Sequence, residues 1–364
     1  MLTWGVVFLR IAANDACAVI SVTLNKAPPA MHVPVGDGHE LWVEFSGDPS
    51  GVPAVYLHGG PGAASVRSCH DLFAPGYWVC VYHQRGCGRS RYRDRLRNNT
   101  TAAAVRDVNR VRSAIGVRRW GLVMGGSWGA SLALLYTMAY PHRVGSYVVR
   151  GISLLEKPFW SPALLDLYPE RWEALKRLLP PGLPPGDTHR AIHRAIHRDR
   201  DRAVARAFVS MEMSALGVHP RSRARPRPPA PRCSRDEWDM ATIASHFEAH
   251  RWFLPPRFLR ERCGAASRVP GIFVHGRLDV ICPLRPVWEG LLPRLPRAAL
   301  WVVEGAGHSH RDPPIAAAMR EASRRLLHQA RGTTPPVVEA EPALPARLAD
   351  ADFSGRHRGW KKQE

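Results

Sequence analysis

Lysine is scarce in this chain: Lys26, Lys157, Lys176, Lys361 and Lys362 are all of it, although Lys and Arg together number 51. A formal net charge of +20 would suit phosphate binding if the charge lay along one face. It does not: the excess is arginine scattered among Ala, Pro and Gly, with no RNA- or DNA-reading motif, so no nucleic-acid partner is expected. Cysteine is also uninformative as a framework. The seven residues Cys17, Cys69, Cys80, Cys87, Cys233, Cys263 and Cys282 are odd in number and widely spaced, without a C-x-x-C pair for zinc or redox work. Reduced thiols and a cytoplasmic setting follow. A long apolar run is missing too. "MLTWGVVFLRIAANDACAVISV" has no basic leader region and is broken by Arg10, Asn14 and Asp15, which argues against a secretory signal and against a membrane partner. No feature of the sequence sets an oligomeric state.

The 364 residues, 45% hydrophobic and 23% charged, are ordinary globular usage and exceed one typical domain. They suggest a large α/β unit or a core carrying an insertion. Apolar runs bounded by turn residues recur at 41–45, 53–58, 78–82, 120–124, 146–149, 271–275 and 299–303, and read as buried strands. Helical stretches at 100–115, 130–140 and 314–330 alternate with them, which predicts a mostly parallel sheet covered on both faces. Between 156 and 267 the strands vanish and helical, Arg-rich segments take over, so this stretch reads as a helical cap inserted into a core of 31–155 and 268–331. Residues 1–30 read as a poorly ordered extension and 332–364 as a disordered tail rich in Pro, Ala and charge. Within the cap, "HRAIHRAIHRDR" puts His189, His193 and His197 four apart on one helical face. Such a face lacks an identifiable further ligand to converge on an ion, so it reads as a solvated basic helix with no metal.

The chemistry is concentrated at "MGGSWGAS". Gly125-Gly126-Ser127-Trp128-Gly129 follows a strand-like run and precedes a helical one, the strand, turn, helix setting of a nucleophile elbow. Small neighbours there let strand and helix approach while the serine hydroxyl stays exposed. A serine hydroxyl needs a base and a group to orient that base. Asp279 ends "GIFVHGRLD" and His308 ends "ALWVVEGAGH", each in a loop after a strand, giving the order Ser, Asp, His. Oxyanion donors are expected from the amide of Trp128 and from "HGGPGA" at 58–63, where Gly59 and Gly60 are equal candidates.

The segments "GDGHELWVE", "PAVYLHGGPG", "QRGCGRS", "NNTT", "GGSWGASLAL", "RGISLL", "VPGIFVHGRLDVICP" and "GAGHS" together resemble the proline iminopeptidases, serine peptidases of the α/β-hydrolase fold, over about 33–155 and 268–330. The resemblance implies a mostly parallel sheet with helices on both faces and a helical cap. It implies release of N-terminal proline from peptides through a prolyl-enzyme on Ser127, with His308 as base and then acid, Asp279 orienting it, and no cofactor. The family recognises the substrate amine with two cap glutamates. "AFVSMEMSAL" points to Glu212 and "ASHFEAHRWF" to Glu248, with Phe159, Trp160, Trp252 or Phe253 as apolar walls. Two departures concern the pocket: His83 stands where the family has an acidic residue, and Met211 replaces a tryptophan beside Glu212. They leave an esterase or amidase of the same fold as the alternative.

Overall fold

The computed structural model describes residues 6–13, 16–23, 30–64, 69–156, 160–184, 187–218 and 233–331, and for 6–23 the backbone path alone. Phe159 and the stretch from 332 onward lie outside the described residues. Strands β1 (Val6–Ala13) and β2 (Ala16–Thr23) pair antiparallel as a separate hairpin. The first 30 residues, read as a poorly ordered extension, therefore contain regular structure.

The main sheet, among the described residues, contains β3 (Ala30–Gly36), β4 (His39–Gly47), β5 (Val52–Leu57), β6 (Tyr77–Tyr82), β7 (Arg91–Tyr92), β8 (Trp120–Gly126), β9 (Val144–Arg150), β10 (Gly271–Gly276) and β11 (Ala298–Val303). Their order is β11-β10-β9-β8-β5-β6-β4-β3, with β7 on the edge of β4. From β6 to β11 neighbours run parallel, and β3, β4 and β7 add an antiparallel flank. The chain leaves β5 towards β6 on one side and returns to β8 on the other. Such a reversal opens a crevice at the carboxyl ends of the strands.

Both faces of the sheet are covered, as the continuous apolar strands require. In β5, Val55 and Leu57 face one cluster and Ala54 and Tyr56 the other. The first face packs on α1 (Thr101–Ala114) and α2 (Trp128–Ala139). The second packs on α10 (Pro313–Arg331), whose Ile315, Ala318, Met319, Ala322 and Leu326 recur at helical spacing.

Between β9 and β10 come α3 (Pro162–Leu167), α4 (Pro169–Lys176), α5 (Thr188–His197), α6 (Arg202–Ser214), α7 (Arg235–Ala249) and α8 (Phe258–Arg262), and α9 (Leu284–Gly290) follows β10. Trp160, Leu164, Leu175, Ile192, Ile196, Phe208 and Met211 form a core of their own within this layer. The reading of 156–267 as one cap needs adjustment at its end. Trp252, Leu259, Cys263 and Ala266 pack into the cluster shared with α1 and α2, because this stretch lies on the sheet's own helical layer. The histidine face of α5 also differs from expectation. It lies against α7, with the His193 and His246 ring centroids 6.5 Å apart, so it is a helix-packing face rather than a solvated one. Among the described residues no helix is long and apolar enough to cross a membrane.

One buried ion pair ties the loop after β6 to α1. Arg85 Nε and Nη2 reach Asp107 Oδ2 and Oδ1 at 2.5 and 3.0 Å, and Nη2 also donates to the Val35 carbonyl at 2.9 Å. Both side chains are nearly inaccessible, so removing Asp107 strips the buried Arg85 guanidinium of its two closest carboxylate contacts and leaves it only Asp37, at 3.0 Å from Nη1. Asp107→Ala is expected to lower unfolding free energy by about 3–5 kcal/mol in urea denaturation. A loss below about 1 kcal/mol would place this pair with weak surface bridges instead.

Candidate active site

The turn between β8 and α2 carries Ser127 at φ 58°, ψ −126°, a left-handed backbone that a residue with a side chain rarely adopts. Its amide donates to the Arg150 carbonyl at 2.9 Å, and its carbonyl accepts the Ala130 amide at 2.9 Å, so hydrogen bonds on both sides hold the conformation. The glycines answer to space. A Cβ on Gly129 would stand 2.0 Å from the Leu57 carbonyl oxygen, so only glycine lets the first turn of α2 settle against the end of β5. A Cβ on Gly59 would lie 3.1 Å from Ser127 Cβ, which places the loop after β5 directly beside Ser127.

Asp279 and His308 come together as the sequence predicts: His308 Nδ1 lies 2.7 Å from Asp279 Oδ2. The other carboxylate oxygen of Asp279 accepts the Ile281 and Cys282 amides at 3.1 and 2.8 Å. Burial pushes the Asp279 carboxyl up, but His308, His275 and the Cys282 amide outweigh it and hold it below the usual carboxylate value. An ionised Asp279 can only accept, so Nδ1 of His308 carries the proton and Nε2 is left as the basic nitrogen. The loop is braced from behind, where Asp312 Oδ2 accepts the Gly307 amide at 2.8 Å.

Gly151 shows how near the serine's turn lies to this pair. A Cβ built there would fall 2.8 Å from His308 Nδ1 and 2.9 Å from Asp279 Oδ2. The residue before it, Arg150, takes the Ser127 amide on its carbonyl and donates from Nη1 to the His308 carbonyl at 2.6 Å. One buried arginine thus joins the Ser127 turn to the His308 loop. Sequence reasoning did not single it out, and its signal was the position of "RGISLL" immediately after a strand.

A second unforeseen residue is Gln84. Its amide donates to His58 Nε2 at 3.0 Å, its Nε2 donates to the His58 carbonyl at 2.8 Å, and its Oε1 accepts Trp128 Nε1 at 2.8 Å. It therefore clamps the two segments that supply the candidate oxyanion donors, the 58–63 loop and the start of α2. The Trp128 indole is packed on its other sides by Trp252, stacked at 5.6 Å, and Phe247, edge-on at 5.0 Å. His83, at the position of the missing acid, is buried and accepts the Arg89 amide at 2.8 Å on Nδ1. Burial lowers its pKa, so it is neutral near pH 7.

The cap places Glu212 on α6 and Glu248 on α7, both buried. Burial, reinforced by the charge of Glu248, raises the Glu212 carboxyl to about 8. Glu248 Oε2 lies 3.0 Å from Nδ1 of His189 on α5. Trp160 packs 5.4 Å from Phe208 and 6.1 Å from His189, beside this acidic pair. Of the other apolar wall candidates, Trp252 lines the Trp128 side chain, and Phe253 stacks on His250 at 4.9 Å. Met211 is taken up wholly in the cap's hydrophobic core.

Comparison with known proteins agrees with this fold. A family model described as "alpha/beta hydrolase fold" matches residues 53–310. A "Probable proline iminopeptidase" from Leptolyngbya boryana is 32% identical over 309 residues, covering 82% of this chain and 94% of its own. A "Proline iminopeptidase" from Xylella fastidiosa strain 9a5c is 34% identical over 299 residues, covering 77% and 90%. Among solved structures, a proline iminopeptidase-related protein from Thermus thermophilus shares the fold at TM-score 0.53 and 24% identity, covering 82% of this chain and 98% of that one. The chain belongs to the proline iminopeptidase family of α/β hydrolases.

Two outcomes follow from this geometry. Gln84→Leu is expected to lower kcat by about 10- to 100-fold with little change in KM, because it loosens the segments that carry the candidate oxyanion donors. Steady-state kinetics decide this, and an unchanged kcat refutes the clamp. Glu212→Gln tests the raised carboxyl through stability. The folded state keeps a proton that the unfolded chain loses above its ordinary value of 4.5, so this term is fully present below 4.5 and is lost as pH rises to about 8. The variant lacks the penalty, so its stability relative to the parent should grow by about 1.4 kcal/mol per pH unit across that window. Denaturation at several pH values would show a flat difference if Glu212 titrated normally.

Proposed function

We propose that this chain is a serine aminopeptidase that releases N-terminal proline from peptides through a prolyl-enzyme intermediate. The observation that carries the chemistry is the hydrogen bond from His308 Nδ1 to Asp279 beside the strained Ser127 turn. His308 Nε2 takes the Ser127 hydroxyl proton as Oγ attacks the carbonyl of the N-terminal residue. Charge on the carbonyl oxygen is met by the Trp128 amide, in the first turn of α2 where amides lack intrahelical partners, and by an amide of Gly59 or Gly60. Collapse breaks the C–N bond, His308 returns the proton to the leaving amine, and the acyl group stays on Ser127. Water, deprotonated by His308, then attacks the ester, and proline leaves as Ser127 regains its proton.

Restriction to a free N-terminus is supported by the buried carboxylates. A substrate ammonium entering beside Glu212 and Glu248 offsets their mutual repulsion and draws the Glu212 proton away. Trp160 offers apolar surface beside them. The six free, buried cysteines of the described residues support the reducing, cytoplasmic setting read from the sequence. The esterase or amidase reading draws on one observation: Glu248 already pairs with His189, and Glu212 is protonated near neutrality, so the empty pocket carries less negative charge than two carboxylates imply.

Chromogenic proline amide, alanine amide and simple ester substrates separate these readings. The expected result is preferred turnover of the proline amide, reduced by about 10⁴-fold or more in Ser127→Ala. Ester turnover without proline release would overturn the peptidase reading, and full activity in Ser127→Ala would overturn the triad. Glu212→Gln and Glu248→Gln should each narrow the preference for free over acetylated N-termini; unchanged discrimination removes them from amine recognition.

A further inference from the structure

We propose that the cap holds a site for a divalent transition metal ion, formed by His193 of α5 with His246 and His250 at the end of α7, apart from the catalytic centre. Ligand nitrogens of these three residues all lie within 4.8 Å of one another. The spacing arises from two helical pairs: His193 and His197 are four apart on α5, with ring centroids at 4.1 Å, and His246 and His250 are four apart across the end of α7, at 4.6 Å. Across the helix interface His193 meets His250 at 5.9 Å and His246 at 6.5 Å. The sequence showed one histidine stripe without a further ligand. The fold supplies the others from a second helix, distant along the chain.

The rings are prepared in the way metal ligands are. His246 Nε2 hydrogen-bonds the Asn99 carbonyl at 3.2 Å, and His250 Nδ1 hydrogen-bonds the His246 carbonyl at 2.8 Å. A carbonyl only accepts, so the bonded nitrogen carries a proton, and in the neutral ring the other nitrogen keeps its lone pair, the usual outer support of a metal-binding histidine. His250 is oriented further by Phe253, whose ring lies 8° from parallel. Burial and neighbouring imidazoles lower His193 and bring His246 down to about 4, so both are neutral at pH 7, as ligation requires. Asp94 and Arg200 are the charged groups whose fields reach His246 and His197.

The donor set decides the class of ion. Neutral imidazoles without a carboxylate suit Zn²⁺, Ni²⁺ or Cu²⁺, whereas Mg²⁺ and Ca²⁺ require oxygen ligands. In a tetrahedral zinc site, ligand nitrogens at about 2.0–2.1 Å from the ion stand roughly 3.4 Å apart, so the three rings close inward by little more than about 1 Å. His250 is exposed, leaving the fourth position to water. The ion would cross-tie α5 to α7, the two helices that also carry His189 and Glu248.

The test uses the full-length, metal-stripped chain titrated with Zn²⁺ in competition with a chromophoric chelator, alongside thermal denaturation with and without the ion. One equivalent bound at micromolar or tighter Kd, with a rise in Tm, is expected. His193→Ala and His250→Ala should each weaken that equivalent by about tenfold or more, and the exposed His142→Ala should not. His250→Ala removes an exposed ring, so it keeps the test valid if His193→Ala disturbs folding. Absence of saturable Zn²⁺ binding, or binding equally strong in the His250 and His142 variants, would overturn the site.

Discussion

The geometry of the site depends on Arg150, which braces two of its loops at once. Its backbone carbonyl takes the Ser127 amide and its guanidinium takes the His308 carbonyl. The strained turn and the histidine loop, which come from β8 and from the end of β11, are therefore referred to one rigid position at the end of β9. Catalytic groups tolerate little displacement, so a buried charge-assisted hydrogen bond is a suitable link. Gln84 performs the corresponding service on the other side, holding the loop after β5 to the Trp128 indole.

The sheet explains why these links can exist. Parallel strands deliver the turn of Ser127, the Asp279 loop, the His308 loop and the Gly59 loop to one edge, and the reversal at β5 opens the crevice between them. The cap contributes differently. It buries Glu212 near Glu248 in its layer, where burial and the charge of Glu248 keep the Glu212 carboxyl protonated near neutrality. The molecule thus combines tightly braced loops at the end of the sheet with a cap layer that buries two acidic side chains.

Much of this was legible in advance. Strands at 41–45, 53–58, 120–124 and 271–275 announced themselves by apolar runs between turn residues, and the elbow by small residues around Ser127. Other features left no local trace. The hairpin of β1 and β2 fell in a stretch whose polar interruptions masked its strands, and the segment from Trp252 to Ala266 gave no sign that it packs on the sheet's helical layer. The histidines of α5 looked solvated because a single helix shows only its own stripe, and the partner stripe on α7 becomes a neighbour through packing.

The sequence by itself determined what depends on neighbours along the chain: the alternation of strands and helices, the glycines that admit the elbow, and the order of Ser127, Asp279 and His308. Only the tertiary structure decided which distant groups share a space. The brace of Arg150, the clamp of Gln84, the burial of Glu212 near Glu248 and the facing of His193 with His246 and His250 all join residues from separate elements. Periodicity and turn chemistry act over a few residues, whereas burial and side-chain pairing are set by the whole fold.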